Sequence, residues 1–155
     1  MKSNLQVRSV EVGDLDRWRE LWRGYQEFYK VSFTDAQVLR TWTQLHDAEQ
    51  PVHGAVAQVN ERVVGLVHYL YHPSTWTDGD YCYLQDLFVD PVMRRHGIAE
   101  KLIRHVYEQA QNHEAVRVYW LTHESNAPAM RLYDRVAERS GFVQYRHRLT
   151  RSRST

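Results

Sequence analysis

The sequence predicts a mixed α/β domain with a sheet at its centre. Three observations carry this. The hydrophobic period switches back and forth between helical and strand spacing. The segments so defined follow the order strand, two helices, three strands, helix, strand, helix, strand. Finally, 155 residues, 43% hydrophobic and 25% charged, suffice to bury one core. No internal repeat, low-complexity tract or Pro/Gly-rich linker interrupts the chain. Residues 1–150 therefore read as one domain, and residues 151–155 as a flexible basic tail continuing Arg146-His147-Arg148.

Leu5 to Val10 alternates apolar and polar residues, as a strand does. Asp14 can cap the helix that follows, in which Leu15, Trp18, Leu21, Trp22, Tyr25, Phe28 and Tyr29 share one face. Thr34 caps a second helix running to about Leu45, with Val38, Leu39, Trp42 and Leu45 inward. The period then changes. Gly54–Val59 and Val63–Tyr71 read as an antiparallel hairpin turning at Asn60-Glu61-Arg62. His72 to Gly79 reads as a loop, and Tyr81–Val89 as a strongly apolar strand ended by Asp90-Pro91.

Gly97 to about His113 is the clearest helix. Ile98, Ala99, Leu102, Ile103, Val106, Tyr107 and Ala110 form its buried stripe, and Lys101, Arg104, His105 and Glu108 its wet face. Val116–Thr122 reads as a strand. Ser125 or Asn126 can cap a helix beginning near Ala127-Pro128, and Gly141 stops it. Phe142–Leu149 reads as a last strand.

Bulk properties narrow the function. Twenty basic residues against nineteen acidic ones give a net charge of +1, which argues against a nucleic-acid partner. The single cysteine, Cys82, excludes an intrachain disulfide and reads as a small buried hydrophobe. No signal-peptide pattern and no membrane-length apolar run are present, so a cytoplasmic location is expected. The nine histidines lack metal-site spacing, and no metal is expected.

The most informative stretch runs from Leu84 to Ala99. A strand delivers the chain to an Arg-rich turn that opens directly into an amphipathic helix. A helix start offers unpaired backbone N–H groups and the positive end of the dipole. Gly97 lets the backbone approach a ligand, and Ala99 leaves room beside it. Such a turn can hold a pyrophosphate; a solvated strand–turn–helix is the plain alternative. It is neither a Walker loop nor a dinucleotide fingerprint.

Arg94-Arg95-His96-Gly97-Ile98-Ala99 resembles the Gln/Arg-x-x-Gly-x-Gly/Ala motif of GNAT N-acetyltransferases. Asn126-Ala127-Pro128-Ala129-Met130-Arg131-Leu132-Tyr133 resembles that family's Asn-x-x-Ala-x-x-Leu/Phe-Tyr segment, and Gly141-Phe142 its Gly-Phe. Tyr83-Leu84-Gln85-Asp86-Leu87-Phe88-Val89 is similar to the matching strand of spermidine/spermine acetyltransferases, and Trp22 to Phe33 to a helix of the yeast Hpa-type enzymes.

The resemblance implies a mixed, mostly antiparallel, splayed sheet flanked by helices, opening between Tyr81–Val89 and Val116–Thr122. It implies acetyl-coenzyme A as acetyl donor and a small primary amine, polyamine-like, as acceptor, with direct attack of the amine on the thioester. Cofactor contacts would come from Leu87, Phe88 and Val89 on the strand and from Arg94, Arg95, His96, Gly97, Ile98, Ala99 and Glu100 in the turn. Asn126 would touch the cofactor or simply cap its helix. Tyr133 maps onto the general acid that protonates the leaving thiolate.

Asp86 is the candidate for binding the amine cation or relaying its proton, or else a structural carboxylate. Tyr25, Tyr29, Trp76 and Gln85 complete the candidate acceptor pocket, the aromatics through cation–π attraction. Gln85 departs from the Glu of polyamine enzymes and cannot act as a base. The chain from Tyr133 to Gly141 is also about one helical turn longer than usual in the family. Family habit and an exposed last strand imply a homodimer. Protein lysine or N-terminal acetylation, and a catalytically silent acetyl-coenzyme A-binding module, are the alternatives.

Overall fold

The computed structural model describes residues 4–150, which form two compact units divided between Leu121 and Thr122. The expected basic tail, 151–155, lies outside the described residues.

The first unit holds β1 (Leu5–Ser9), a 3₁₀ turn (Val12–Asp14), α1 (Leu15–Tyr29), α2 (Asp35–Leu45), β2 (Val52–Val59), β3 (Arg62–His72), β4 (Tyr81–Val89), a second 3₁₀ turn (Pro91–Met93), α3 (Ile98–Asn112) and β5 (Arg117–Tyr119). The sheet order is β1-β2-β3-β4-β5. Each of β1, β2 and β3 pairs antiparallel with the next strand, and β5 joins β4 in parallel. The second unit holds α4 (Ala127–Val136).

Sequence patterning explains the layers. Adjacent residues on a strand point to opposite faces. On β3, Leu66 joins the buried cluster of Trp18, Leu21, Trp22, Val38, Trp42 and Phe88. A Cβ on its neighbour Gly65 would stand 3.1 Å from Leu102 of α3. Hence α1 and α2 cover one face of the sheet and α3 the other, its buried stripe being Ile98, Leu102, Ile103, Val106 and Ala110. The β2–β3 hairpin turns on Asn60 and Glu61 at φ 48° and 69°, the left-handed pair that matches the twist of two-residue hairpins. Thr34 caps α2 as expected. Its hydroxyl accepts from the Gln37 N–H at 3.1 Å, and the Gln37 side chain accepts from the Thr34 N–H at 2.8 Å.

Several expectations are corrected. Asp14 makes no side-chain cap to α1; its carboxylate accepts from Arg8 at 2.8 and 2.9 Å and from the Glu11 N–H at 2.8 Å. The Arg8 hydrogen bond holds that carboxyl below the usual carboxylate range. Leu39 is exposed, because the inward stripe of α2 runs through Val38 and Trp42. His105 is not on a wet face: burial lowers the pKa of its imidazole, and its buried Nε2 has no hydrogen-bond partner among the described residues.

The strand expected at Val116–Thr122 spans only Arg117–Tyr119. Its pairing with β4 stops at Tyr83–Tyr119, where the two strands part. In the second unit α4 ends at Val136, and Gly141 lies beyond it at φ 85°. No strand forms at Phe142–Leu149. Phe142, Val143, Tyr145 and Leu149 are all exposed. A strand exists only as a member of a hydrogen-bonded ladder, and among the described residues no strand pairs with this segment.

Candidate active site

The centre of the first unit's site is Asp86, and a β-bulge puts it there. On β3, His68 faces Asp86, but Tyr69 faces Leu84. Gln85 is therefore the extra residue, exposed and opposite no partner. One inserted residue reverses which face the following side chains take. Cys82 and Leu84 lie opposite Tyr71 and Tyr69, whereas Asp86 and Phe88 lie opposite His68 and Leu66, on the α1 side.

Asp86 is 8% exposed, and both of its oxygens are engaged. The Tyr25 phenol donates to Oδ1 at 2.6 Å, and His68 Nδ1 meets Oδ2 at 3.0 Å. Behind His68, the Trp18 indole donates to Nε2 at 3.0 Å. Tyr25 is stacked on Trp22 and packs against Tyr29, each with ring centroids 4.6 Å apart. Tyr83 lies on the same side, its ring 4.9 Å from that of Tyr119.

Burial, and then the negative charge of Asp86, push the Tyr25 and Tyr29 hydroxyls up; for Tyr83 the causes are burial, Tyr119 and Asp86. One buried carboxylate thus faces a tyrosine-lined wall. The Trp22 indole N–H is buried there with no hydrogen-bond partner among the described residues. Such a wall can hold an organic cation, by ion pairing at Asp86 and by the ring faces around it.

Past Asp86, only β3 pairs with β4 over Leu84–Val89 among the described residues. The free edge leads to the Arg94–Glu100 turn. Arg95 and Gly97 take left-handed φ values of 68° and 74°, and alternating backbone of this kind turns successive N–H groups inward as an anion cradle. His96 Nδ1 donates back to the Arg94 carbonyl at 2.8 Å, bracing the turn. No side chain caps the start of α3. A Cβ on Gly97 would meet nothing within 4 Å. Open amides, the missing cap and the free space fit a diphosphate. Arg94 is held over the rings of Phe28 and Phe88, at 5.6 and 5.7 Å, while Ile98 faces the core rather than the opening.

Of the residues expected from sequence, Tyr25, Tyr29 and Asp86 come together, Gln85 is the exposed bulge residue next to Asp86 in the chain, and Leu87, Phe88 and Val89 lie on the strand leading to the turn. Trp76 stands apart, 75% exposed on the β3–β4 loop with no ring contact among the described residues. Tyr133 is half-buried on α4, and Asn126 precedes that helix without a side-chain cap bond. His68 and Tyr83 were missed, and Trp18 was expected as a core residue but not as the partner of His68. A lone histidine within Val63-Val64-Gly65-Leu66-Val67-His68-Tyr69 was the available signal for the first, since a polar group in an apolar run needs a partner.

The Acetyltransferase (GNAT) family model matches residues 16–137. The chain belongs to the GNAT acetyltransferase family. It is 31% identical over 148 residues to the D-amino-acid N-acetyltransferase HPA3 of Saccharomyces cerevisiae, covering 94% of this chain and 92% of that one. It is 36% identical over 135 residues to the thialysine N-epsilon-acetyltransferase of Caenorhabditis elegans, covering 86% and 82%. Its fold is shared by the ribosomal-protein-alanine N-acetyltransferase of Brucella melitensis, with TM-score 0.80, 17% identity and coverage of 94% and 99%. As a GNAT acetyltransferase it takes its acetyl group from acetyl-coenzyme A.

Proposed function

We propose that this GNAT acetyltransferase acetylates a small primary amine, with the cation held at Asp86. The observation that carries the reading is the bulge-mounted, buried carboxylate inside a wall of Tyr25, Tyr29 and Tyr83. Both curated relatives bear names of enzymes acting on small amine-bearing molecules, which supports the same acceptor class; polyamine-like acceptors are its basic extreme. A homodimer and a cytoplasmic location belong to the proposal. The exposed Phe142, Val143, Tyr145 and Leu149 support the first. Near-neutral charge leaves nucleic acid without an electrostatic footprint. No helix among the described residues is long and apolar enough to cross a membrane. The family match spans residues 16–137, which supports one catalytic domain over 1–150.

In this reading the backbone amides of Arg95 to Glu100 hold the diphosphate, with Arg94 beside them. Residues Leu87 to Val89 line the pantetheine arm, an N–H near Leu87 polarises the thioester carbonyl, and Asn126 contacts the cofactor. Asp86 orients the ammonium. Once the amine has given its proton to water, its lone pair forms the C–N bond as the C–S bond breaks. Tyr133 donates the hydrogen that the departing thiolate takes up, and it regains one through water from the nitrogen, which sheds its second proton as the amide forms. Gln85, exposed on the bulge, contacts the acceptor without accepting a proton.

The test is release of free thiol from acetyl-coenzyme A with a panel of amino acids, diamines, polyamines and peptides. Turnover of a small amine above that of every peptide is expected, with Tyr133→Phe lowering kcat at least tenfold. Cofactor binding without turnover of any small amine overturns the reading.

A further inference from the structure

We propose that His68 is a positioning residue for the acceptor amine, acting through Asp86 and fixed in one tautomer by Trp18. The proposal rests on the reading of Asp86 as the amine anchor. An indole N–H can only donate. With Trp18 Nε1 at 3.0 Å from His68 Nε2, that ring nitrogen must accept, so the hydrogen sits on Nδ1 and is given to Asp86 Oδ2 at 3.0 Å. The row Trp18–His68–Asp86–Tyr25 therefore has one direction. Every hydrogen in it points toward the carboxylate, from Tyr25 on one side and from His68 on the other.

Two consequences follow. First, each Asp86 oxygen spends one lone pair on a fixed donor and keeps another for the substrate. The carboxylate plane is set on two sides before the amine arrives, which is what pre-organisation requires. Second, the row cannot carry a proton inward. His68 Nδ1 already bears its hydrogen, and Nε2 faces a donor that has no lone pair to pass on. The amine's proton leaves toward solvent, and the inner row only holds. Trp18 and His68 are 1% and 2% exposed, and Asp86 8%, so water does not stand in for either bond. A buried histidine whose two nitrogens are matched this way is not explained by packing alone, since a phenylalanine or leucine would fill a core site of that size with no polar group to satisfy.

The test uses the whole protein. Nitrogen-15 NMR of the imidazoles, together with steady-state kinetics of Asp86→Asn, His68→Leu, His68→Asn and Trp18→Phe, reads the row directly. The His68 spectrum is expected to put its hydrogen on Nδ1. His68→Leu raises the KM for the amine about tenfold, with little change in the KM for acetyl-coenzyme A. His68→Asn, whose amide N–H can donate from near the Nδ1 position, recovers part of that loss. Trp18→Phe mixes the tautomers and raises the amine KM several-fold.

A hydrogen on Nε2, an unchanged amine KM in His68→Leu, or equal losses for both substrates would overturn the assignment. If His68→Leu does not fold, an unchanged tautomer and amine KM in Trp18→Phe overturn it instead. Asp86→Asn separates the two readings. If it leaves the amine KM unchanged, the acceptor site itself is wrong. If it raises that KM while the His68 variants do not, only the role of His68 falls.

Discussion

The Tyr25 phenol lies 2.6 Å from Oδ1 of Asp86 and gives that buried carboxylate a hydrogen bond from helix α1. Tyr25 is itself fixed by its stack on Trp22, so the bond joins the helix layer to the strand that leads into the cofactor turn. A hydrogen bond to a charged group contributes about 1.5–3 kcal/mol. Tyr25→Phe keeps the stack and removes the donor. Amine KM should rise about tenfold or more, with acetyl-coenzyme A KM unchanged, in initial-rate kinetics with each substrate varied in turn. A loss confined to acetyl-coenzyme A would put Tyr25 in the wrong pocket.

Helix α1 approaches β4 closely because Gly24 has no side chain. A Cβ there would stand 2.8 and 2.9 Å from the tip of the Phe88 ring, the same ring that supports Arg94. Gly24→Ala must push Phe88 aside. Overpacking of this kind costs about 1–3 kcal/mol, and denaturant melts should register it. Because Arg94 loses its aromatic bed, acetyl-coenzyme A KM should also rise several-fold. Unchanged stability would mean that the ring moves freely.

The uneven legibility of the sequence has a physical cause. Helix α3 and strand β4 could be read to within a residue or two because period, glycine and Asp-Pro signals are local. The Gln85 bulge could not. Tyr81–Val89 is apolar on both faces, so no alternation betrays a change of register, and only the partners His68 and Tyr69 on β3 reveal it. His68 was legible as an oddity but not as a partner, since Trp18, fifty residues away, defines its role. Phe142, Val143, Tyr145 and Leu149 imitate a strand in spacing, but a pattern cannot supply the neighbouring ladder.

Cys82 lies fully buried opposite Tyr71, and burial pushes its thiol up to about 12 from an ordinary 9.0. A group whose folded pKa is raised contributes stability that is whole below its unfolded pKa and is lost as pH rises through the folded one. Between pH 9 and 12 the unfolded chain gives up this proton and the folded chain keeps it, so stability falls with pH, by at most about 1.4 kcal/mol per pH unit from one group. Urea melts across that range should show a shallower decline in Cys82→Ala than in the parent. Parallel slopes in the two proteins would remove Cys82 from the account.

Gly97 sits at φ 74° with open space where a Cβ would go. In the unliganded protein, Gly97→Ala meets no neighbour and bears only the left-handed backbone cost, about 1–2 kcal/mol. The added methyl nevertheless stands among the amides that start α3, in the space through which a diphosphate would reach them. The expected result is therefore lopsided. Thermal unfolding should shift by a few degrees, while acetyl-coenzyme A affinity, measured by calorimetry, should fall well over tenfold. Desulfo-coenzyme A, which keeps the diphosphate but lacks the thiol, should lose affinity equally, because the methyl acts on the phosphates and not on the reacting end. If Gly97→Ala weakens binding only as far as it weakens the fold, the turn is not the cradle, and the diphosphate must be sought elsewhere on the chain.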